Sequence, residues 1–439
     1  MASEDSAGAA RMARYQENHR DELRTIAATG TLVQDSLAEM FNLFSWTLKE
    51  RAPIPYEWTE QQLWCAAMDP TEGRRGRSSP EYLIRAFGGD VRAEDPHAEL
   101  RRAFGRRLRT TPGFIVVNKS SCATPVHIRV VPAPRDATIE QGMIEFRVKG
   151  KAADGYILGD TLSKASYEEA FGCGYYDRWD PRPPFEWLEK RNAYNEAVAD
   201  AIKRSPVPIE TERQARRLLK DSRELREWLE VSTGPDAFVP NPVPVAVSLS
   251  VVNWIAEWLK INSPAIVWVD GTWLGETLEV VSGVPYYSKD GKSRARRAPQ
   301  PGESIIASLK SNYRGRNWWR WSRNLVVPAL ASNKWHEQVI GRTHRQLQKD
   351  PVFVDYLVTS HLSLRAFEKA QDRARGTKDF FELTQKIIST DWDWSAVPRQ
   401  ILDPVGCGVT DQGFLARWYP KGMAIDDDVF GSDPDSDFG

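Results

Sequence analysis

Between residues 250 and 358 the apolar positions change rhythm several times, and the changes mark out alternating elements. Val251, Trp254, Ile255 and Trp258 repeat at helical spacing and predict one buried helix face. The apolar run AIVWV, residues 265–269, predicts a buried strand, and WLGETLEVV, 273–281, a second helix. Further strands are expected at VPYY (284–287), SIIASLK (304–310) and NLVVPA (324–329), then a helix over 333–348 and a last strand at VFVDYLV (352–358). Strands alternating with helices imply an α/β fold with a parallel sheet covered on both faces.

Upstream the pattern is less regular. An Arg/Ala-rich helical opening (6–22) leads into RTIAATGT, a short β-like run ending at Thr29-Gly30-Thr31. From 36 to 240 the spacing is mostly helical, interrupted at Pro53 and Pro55 and at DPTEGRRGRSSP (69–80), DPRPP (180–184) and GPDAFVPNPVP (234–244). The last of these is the best linker candidate. ELRRAFGRRLR (99–109) places Leu100, Phe104 and Leu108 on one helix face, with Arg101, Arg102, Arg106, Arg107 and Arg109 mostly elsewhere. Those arginines suit a phosphate-tracking surface or a plain solvated face equally well. The ending AIDDDVFGSDPDSDFG is acidic and expected to be disordered.

With 439 residues the chain has room for two or three cores, and a formal charge of −1 leaves any attraction to a polyanion to local patches. Cys65, Cys122, Cys173 and Cys407 form no C-x-x-C pair, which argues against a zinc site or a disulfide framework and fits a reducing cytosol. The N-terminus lacks the apolar core of a secretory leader. The most apolar stretch, Val243 to Leu259, is broken by Pro244, Asn253 and Glu257, so it reads as a strand or loop followed by an amphipathic helix, not a membrane span.

The chemistry concentrates in HEQVIGRTHRQLQ (336–348), where Gln338, Gly341, Arg342 and Arg345 form Q-x-x-G-R-x-x-R around His344. Two arginines at that spacing suit a nucleotide phosphate, and they need a phosphate-binding loop to serve. Gly291-Lys292-Ser293 ends like a Walker A loop, but Tyr286 stands where its first glycine is required. Asp21-Glu22-Leu23-Arg24 lies on a charged helix end, not at the end of an apolar strand, and the terminal Asp437-Phe438-Gly439 has no catalytic loop upstream. No complete nucleotide site and no metal site is expected within the chain.

The order of pieces around the arginines resembles the C-terminal motor lobe of superfamily-two helicases and translocases, Swi/Snf-like and phage-encoded members in particular. Trp268, Ser308, Gly315, Asn317, Gln338, Gly341, Arg342, His344, Arg345 and Gln348 carry the match, while Leu347 and Trp318 depart from the pattern. TIAATGTLVQDSL looks like the third helicase motif at the end of a first lobe. LFSWTLKERAPIP and GCGYYDRWDPRPPFEWLEKRNAYNEA look like the helical inserts of phage-type members.

The resemblance implies a RecA-like lobe over 241–375, preceded by a remnant of a first lobe (1–38) and a mainly helical bridging region (39–240). An extension (376–423) and an acidic tail (424–439) follow. It implies that Arg342 and Arg345 reach the γ-phosphate. Gln338, Gly341, Gly315 and Asn317, with Thr29, Gly30 and Thr31, then couple nucleotide to motion. Ser308, Lys310, Arg314, Arg316 and Arg320 contact DNA. ATP and magnesium are held mainly by a first lobe on a partner polypeptide, in the cytoplasm, or in the host cytoplasm if the chain is phage-encoded.

Within YRGRNWWRWSR (313–323) the arginines suit a nucleic-acid strand, whereas tryptophans alternating beside a strand suit core packing better. The leading expectation is therefore one half of a split or truncated DNA-dependent ATPase. A non-catalytic DNA-binding or docking scaffold and a gene fragment are the alternatives.

Overall fold

The computed structural model of the chain describes residues 15, 18–19, 24–28, 37–69, 80–117, 122–134, 136–149, 152–154, 161–204, 216–288, 297–313, 315–328, 332–383 and 385–389. Six strands form one parallel sheet in the order β1-β8-β7-β4-β6-β5. They are β1 (Val126–Pro132), β4 (Ala265–Val269), β5 (Tyr286–Tyr287), β6 (Ile305–Ser308), β7 (Arg323–Val327) and β8 (Val352–Val358). Two further strands, β2 (Tyr175–Trp179) and β3 (Pro242–Ala246), make a separate antiparallel ribbon.

The sheet forms because its strands are apolar on both sides. In β4, Ala265, Val267 and Val269 enter one core while Ile266 and Trp268 enter the other. The first core is covered by α9 (Ser250–Asn262) and α10 (Thr272–Ser282), which contribute Val251, Ile255, Leu274 and Leu278. The second is covered by α12 (Asn333–Thr343) and α13 (His361–Phe381) through Val339, Ile340, Phe367 and Ala370. Gly283 ends α10 with φ +71°, a left-handed C-cap that suits glycine. Ser360 opens α13 with a reciprocal capping box to Ser363.

The α/β architecture expected from the hydropathy pattern is thus present. Several local expectations are corrected. Residues Arg24–Ala28 form no strand, and Ile26 stands 94% exposed, so this run lacks the sheet neighbour a strand needs. Thr29, Gly30 and Thr31 lie outside the described residues, as do most of the opening helix and the acidic ending. The run 304–310 divides: after β6 the chain turns into the short helix α11 (Leu309–Asn312), tied down by Asn312 Nδ2 donating to the carbonyls of Tyr287 and Ser308. Helix α12 stops at Thr343, not at 348.

The described residues of the stretch 36–240 are mostly helical, with two strands among them. α1 (Ala38–Leu48), α2 (Trp58–Met68), α3 (Glu81–Ala86) and α4 (Pro96–Thr110) build a third core around Met40, Trp64, Leu100, Phe104 and Leu108. Helix α4 crosses α13 at Gly105, where a Cβ would fall on the carbonyl of Phe380, and Arg101 is buried there against Asp379 at 2.8 Å. Helices α5 (Ala137–Lys149) and α6 (Thr161–Gly172) contribute to the first core, and α7 (Phe185–Arg204) and α8 (Arg223–Ser232) pack on each other through Trp187, Tyr194 and Trp228. β1 reaches the sheet from inside this region, and Arg129 on it chelates the buried carboxylate of Asp355 on β8 at 2.5 and 2.9 Å.

Candidate functional site

Helix α12 follows β7 and runs back along the sheet, so its last turn returns to the end where the parallel strands begin. A buried polar chain fixes it there. Trp268 Nε1 donates to Asn324 Oδ1 at 3.2 Å, and Asn324 Nδ2 donates to Thr343 Oγ1 and to the carbonyl of Phe353. Trp268, Asn324 and Thr343 are deeply buried, so the bonds among them prevent the cost of orphaned polar atoms. Asn324 and Thr343 were not legible as site residues, because a lone Asn in a strand and a lone Thr in a helix carry no motif.

The loop between α11 and β7 docks on this turn. Trp318 N donates to the carbonyl of Arg342 at 3.0 Å, and Arg342 returns the contact through Nη1 to the carbonyl of Arg316 at 2.9 Å. Its Nη2 donates to Gln338 Oε1 at 2.7 Å and its Nε to the Gln338 carbonyl. Gln348 Nε2 holds the carbonyls of Trp319 and Trp321, and His344 Nε2 lies 2.7 Å from the carbonyl of Thr124, just ahead of β1. Gly315 sits in the left-handed region at φ +72°, which only glycine adopts without strain. Trp318 and Trp321 are buried in the second core, as alternating tryptophans beside a strand suggest.

The two arginines differ. Arg342 is buried and braced; its pKa falls to about 10, first because burial disfavours the cation and next because Arg345 lies nearby. Arg345 is half-buried, its Nε donates to the Gly341 carbonyl at 2.7 Å, and its Nη groups meet no acceptor among the described residues. No carboxylate pairs with either guanidinium among the described residues. Beside them Gly341 faces open space: a Cβ there would meet nothing within 4 Å. His344 is held below the ordinary imidazole value, chiefly by burial.

The remaining motif residues divide between two places. Asn317 and Arg320 are exposed on the loop beside Arg342, with the Arg320 guanidinium 5.2 Å from the Trp319 ring centre. Arg314 lies outside the described residues. Ser308 and Lys310 belong to the opposite edge, where the strands end. Ser308 is buried and hydrogen-bonded with Tyr286, and Lys310 pairs with Asp270 at 3.3 Å. Glu169 faces this edge with its pKa pushed up to about 7, by burial first and then by Asp270 and Glu168. At roughly 3.3 Å per strand residue the two groups are separated by the length of a strand, roughly 15 Å.

The carboxyl edge also holds the reversal of strand order. β4 is followed by α10 on one face and its neighbour β7 by α12 on the other, the arrangement that opens a crevice in parallel sheets.

No family model matches the chain, and no curated protein matches it. Among solved structures it is similar to the crystal structure of the C-terminal part of the Fun30 ATPase domain, at 13% identity and a TM-score of 0.30, covering 56% of this chain and 89% of that one. The fold described above rests on the sheet itself and not on that likeness.

The α4 arginines are largely engaged within the protein. Arg102 and Arg106 pair with Glu99, Arg109 pairs with Glu382, and Arg107 lies over Phe87. No helix among the described residues is long and apolar enough to cross a membrane.

Proposed function

We propose that the chain is the RecA-like C-terminal lobe of a DNA-dependent ATPase of the helicase and translocase class. It would lend Arg345 and Arg342 to a nucleotide held chiefly by another polypeptide. One observation carries this reading: two neighbouring guanidinium groups, one of them buried, have no carboxylate among the described residues to balance them. Buried or half-buried cations are normally paired, and an anion brought from outside completes such a pair. Arg345 offers a free fork to a terminal phosphate, and Arg342 offers what its brace leaves over. Both would stabilise the negative charge that builds up on the phosphoryl oxygens during transfer.

These residues fit the phosphate end of ATP. For magnesium the described residues offer no group of three or more His, Cys, Asp or Glu, so in this reading the metal belongs to the partner. Lys310 and Ser308 on the far edge, and Arg316 and Arg320 on the loop, are the proposed DNA contacts. The proposed setting is the cytoplasm.

The test is ATP turnover with duplex DNA present. The full chain alone should hydrolyse almost no ATP, and a co-purified polypeptide with a Walker A loop and a D-E-x-x motif should restore turnover that Arg345→Ala then removes. Robust DNA-stimulated hydrolysis by the chain alone overturns the split arrangement. Turnover indifferent to Arg345→Ala favours the scaffold alternative, which the inward bracing of Arg342 makes specific.

A further inference from the structure

Arg342 is the end of a longer stripe, with Arg345 just beyond it. Trp335, Gln338 and Arg342 follow one another at i, i+3 and i+7 on α12, the spacing of a single helix face. The loop that receives Arg342 at the Arg316 carbonyl also supplies Tyr313, whose ring stacks on Trp335 with centres 3.8 Å apart and planes at 28°. Both rings are half-buried. The Trp335 indole Nε1 has no acceptor among the described residues. Seven residues of helix span about 10 Å, comparable to the reach from the base to the last phosphate of an extended nucleotide.

Resting on the reading of the arginines as a phosphate site, we propose that Trp335, backed by Tyr313, is the base-stacking platform of the same nucleotide. The occupant is a purine nucleoside triphosphate. Its base lies on the aromatic pair, its sugar passes Gln338 and the open Gly341, and its terminal phosphate meets Arg345. A bicyclic base presents the larger π-face to an indole, and the indole N–H is left to meet an acceptor. Both rings also pack against the edge of the second core, but packing alone leaves the Trp335 indole N–H without an acceptor among the described residues.

The experiment compares ATP with inorganic tripolyphosphate on the full chain, by calorimetry and by saturation transfer to the ligand protons. ATP should bind on the order of tenfold tighter than tripolyphosphate, as expected for one stacked base, with the strongest saturation on the adenine protons. Trp335→Leu, which keeps apolar volume and removes the π-face, should erase that preference and leave tripolyphosphate binding unchanged. Trp335→Phe should retain part of it.

Equal affinity for the two ligands, or a preference that survives Trp335→Leu, overturns the platform while leaving the phosphate site standing. Tripolyphosphate binding that ignores Arg345→Ala overturns the phosphate site. Absence of binding by either ligand to the full chain overturns the platform, and the phosphate site then stands or falls on the partner-dependent turnover and its loss in Arg345→Ala.

Discussion

Arg342 Nη1 donates to the backbone carbonyl of Arg316 at 2.9 Å, which makes this arginine the fastener between the helix and the loop. Its removal leaves that carbonyl and the Gln338 amide short of a donor. Arg342→Ala should cost about 1–3 kcal/mol, read as a lower urea midpoint with an unchanged slope. Arg345→Ala breaks one bond to its own helix and should stay within about 0.5 kcal/mol. Equal losses would contradict the brace, and they would make Arg345 the poorer probe of phosphate binding.

Gly341 has no packing reason to lack a side chain, since a Cβ there meets nothing within 4 Å. Alanine is the better helix former by up to about 1 kcal/mol. Gly341→Ala should therefore raise the thermal midpoint and, if the proposed phosphate site lies on this face, weaken tripolyphosphate binding. A stabilised variant with unchanged affinity would move the anion away from this face.

Asn324 satisfies Trp268 and Thr343 together. Asn324→Leu should cost about 2 kcal/mol, and Trp268→Phe in the same chain should cost less than the two losses added together. Denaturation of the four species gives the coupling directly. Strict additivity would show that the polar chain is not what anchors α12.

Glu169 gives stability a pH dependence of definite sign. Its folded pKa of about 7 stands above the ordinary 4.5, so between these values the folded protein binds the proton that the unfolded chain has released. Its contribution is full below the lower value and is lost as pH rises through the upper one. His344, held low by burial, acts in the opposite sense: its contribution is lost as pH falls. Glu169→Gln should flatten the fall of the unfolding midpoint across this window, and an unchanged profile would remove Glu169 as its source.

Gly105 lets α4 and α13 touch backbone to backbone. Gly105→Ala forces the two helices apart and should cost about 1–3 kcal/mol, visible as faster proteolysis within residues 37–69 and 80–117. A neutral result would mean that the Arg101 and Asp379 ion pair tolerates a shifted crossing.

Much of the sheet was legible because its strands are short apolar runs between clear helical stripes: AIVWV and VFVDYLV match β4 and β8 residue for residue. β1 was not, since VHIRVVP is an edge strand whose outward positions are polar or half-exposed and which lies among helices. Spacing put Arg342 and Arg345 together on the chain, but nothing in it tells which guanidinium turns inward; that depends on where the Arg316 carbonyl ends up. The separation of Ser308 and Lys310 from the arginines was likewise hidden. It follows from two parallel strands, β6 and β7, whose connecting loop must travel the length of the sheet.

The pairing of β1 with β8 joins residues 226 positions apart, as Arg129 and Asp355 show. A ribosome must therefore release nearly all of β8 before the outer edge of the sheet can be sealed, and everything between waits as one large loop. Contacts of that span slow folding and leave an open strand edge in the interval. A fragment begun at residue 241 to isolate the lobe would never seal: β8 would offer its bare edge to another molecule, and Asp355 would keep only Trp258 as a donor.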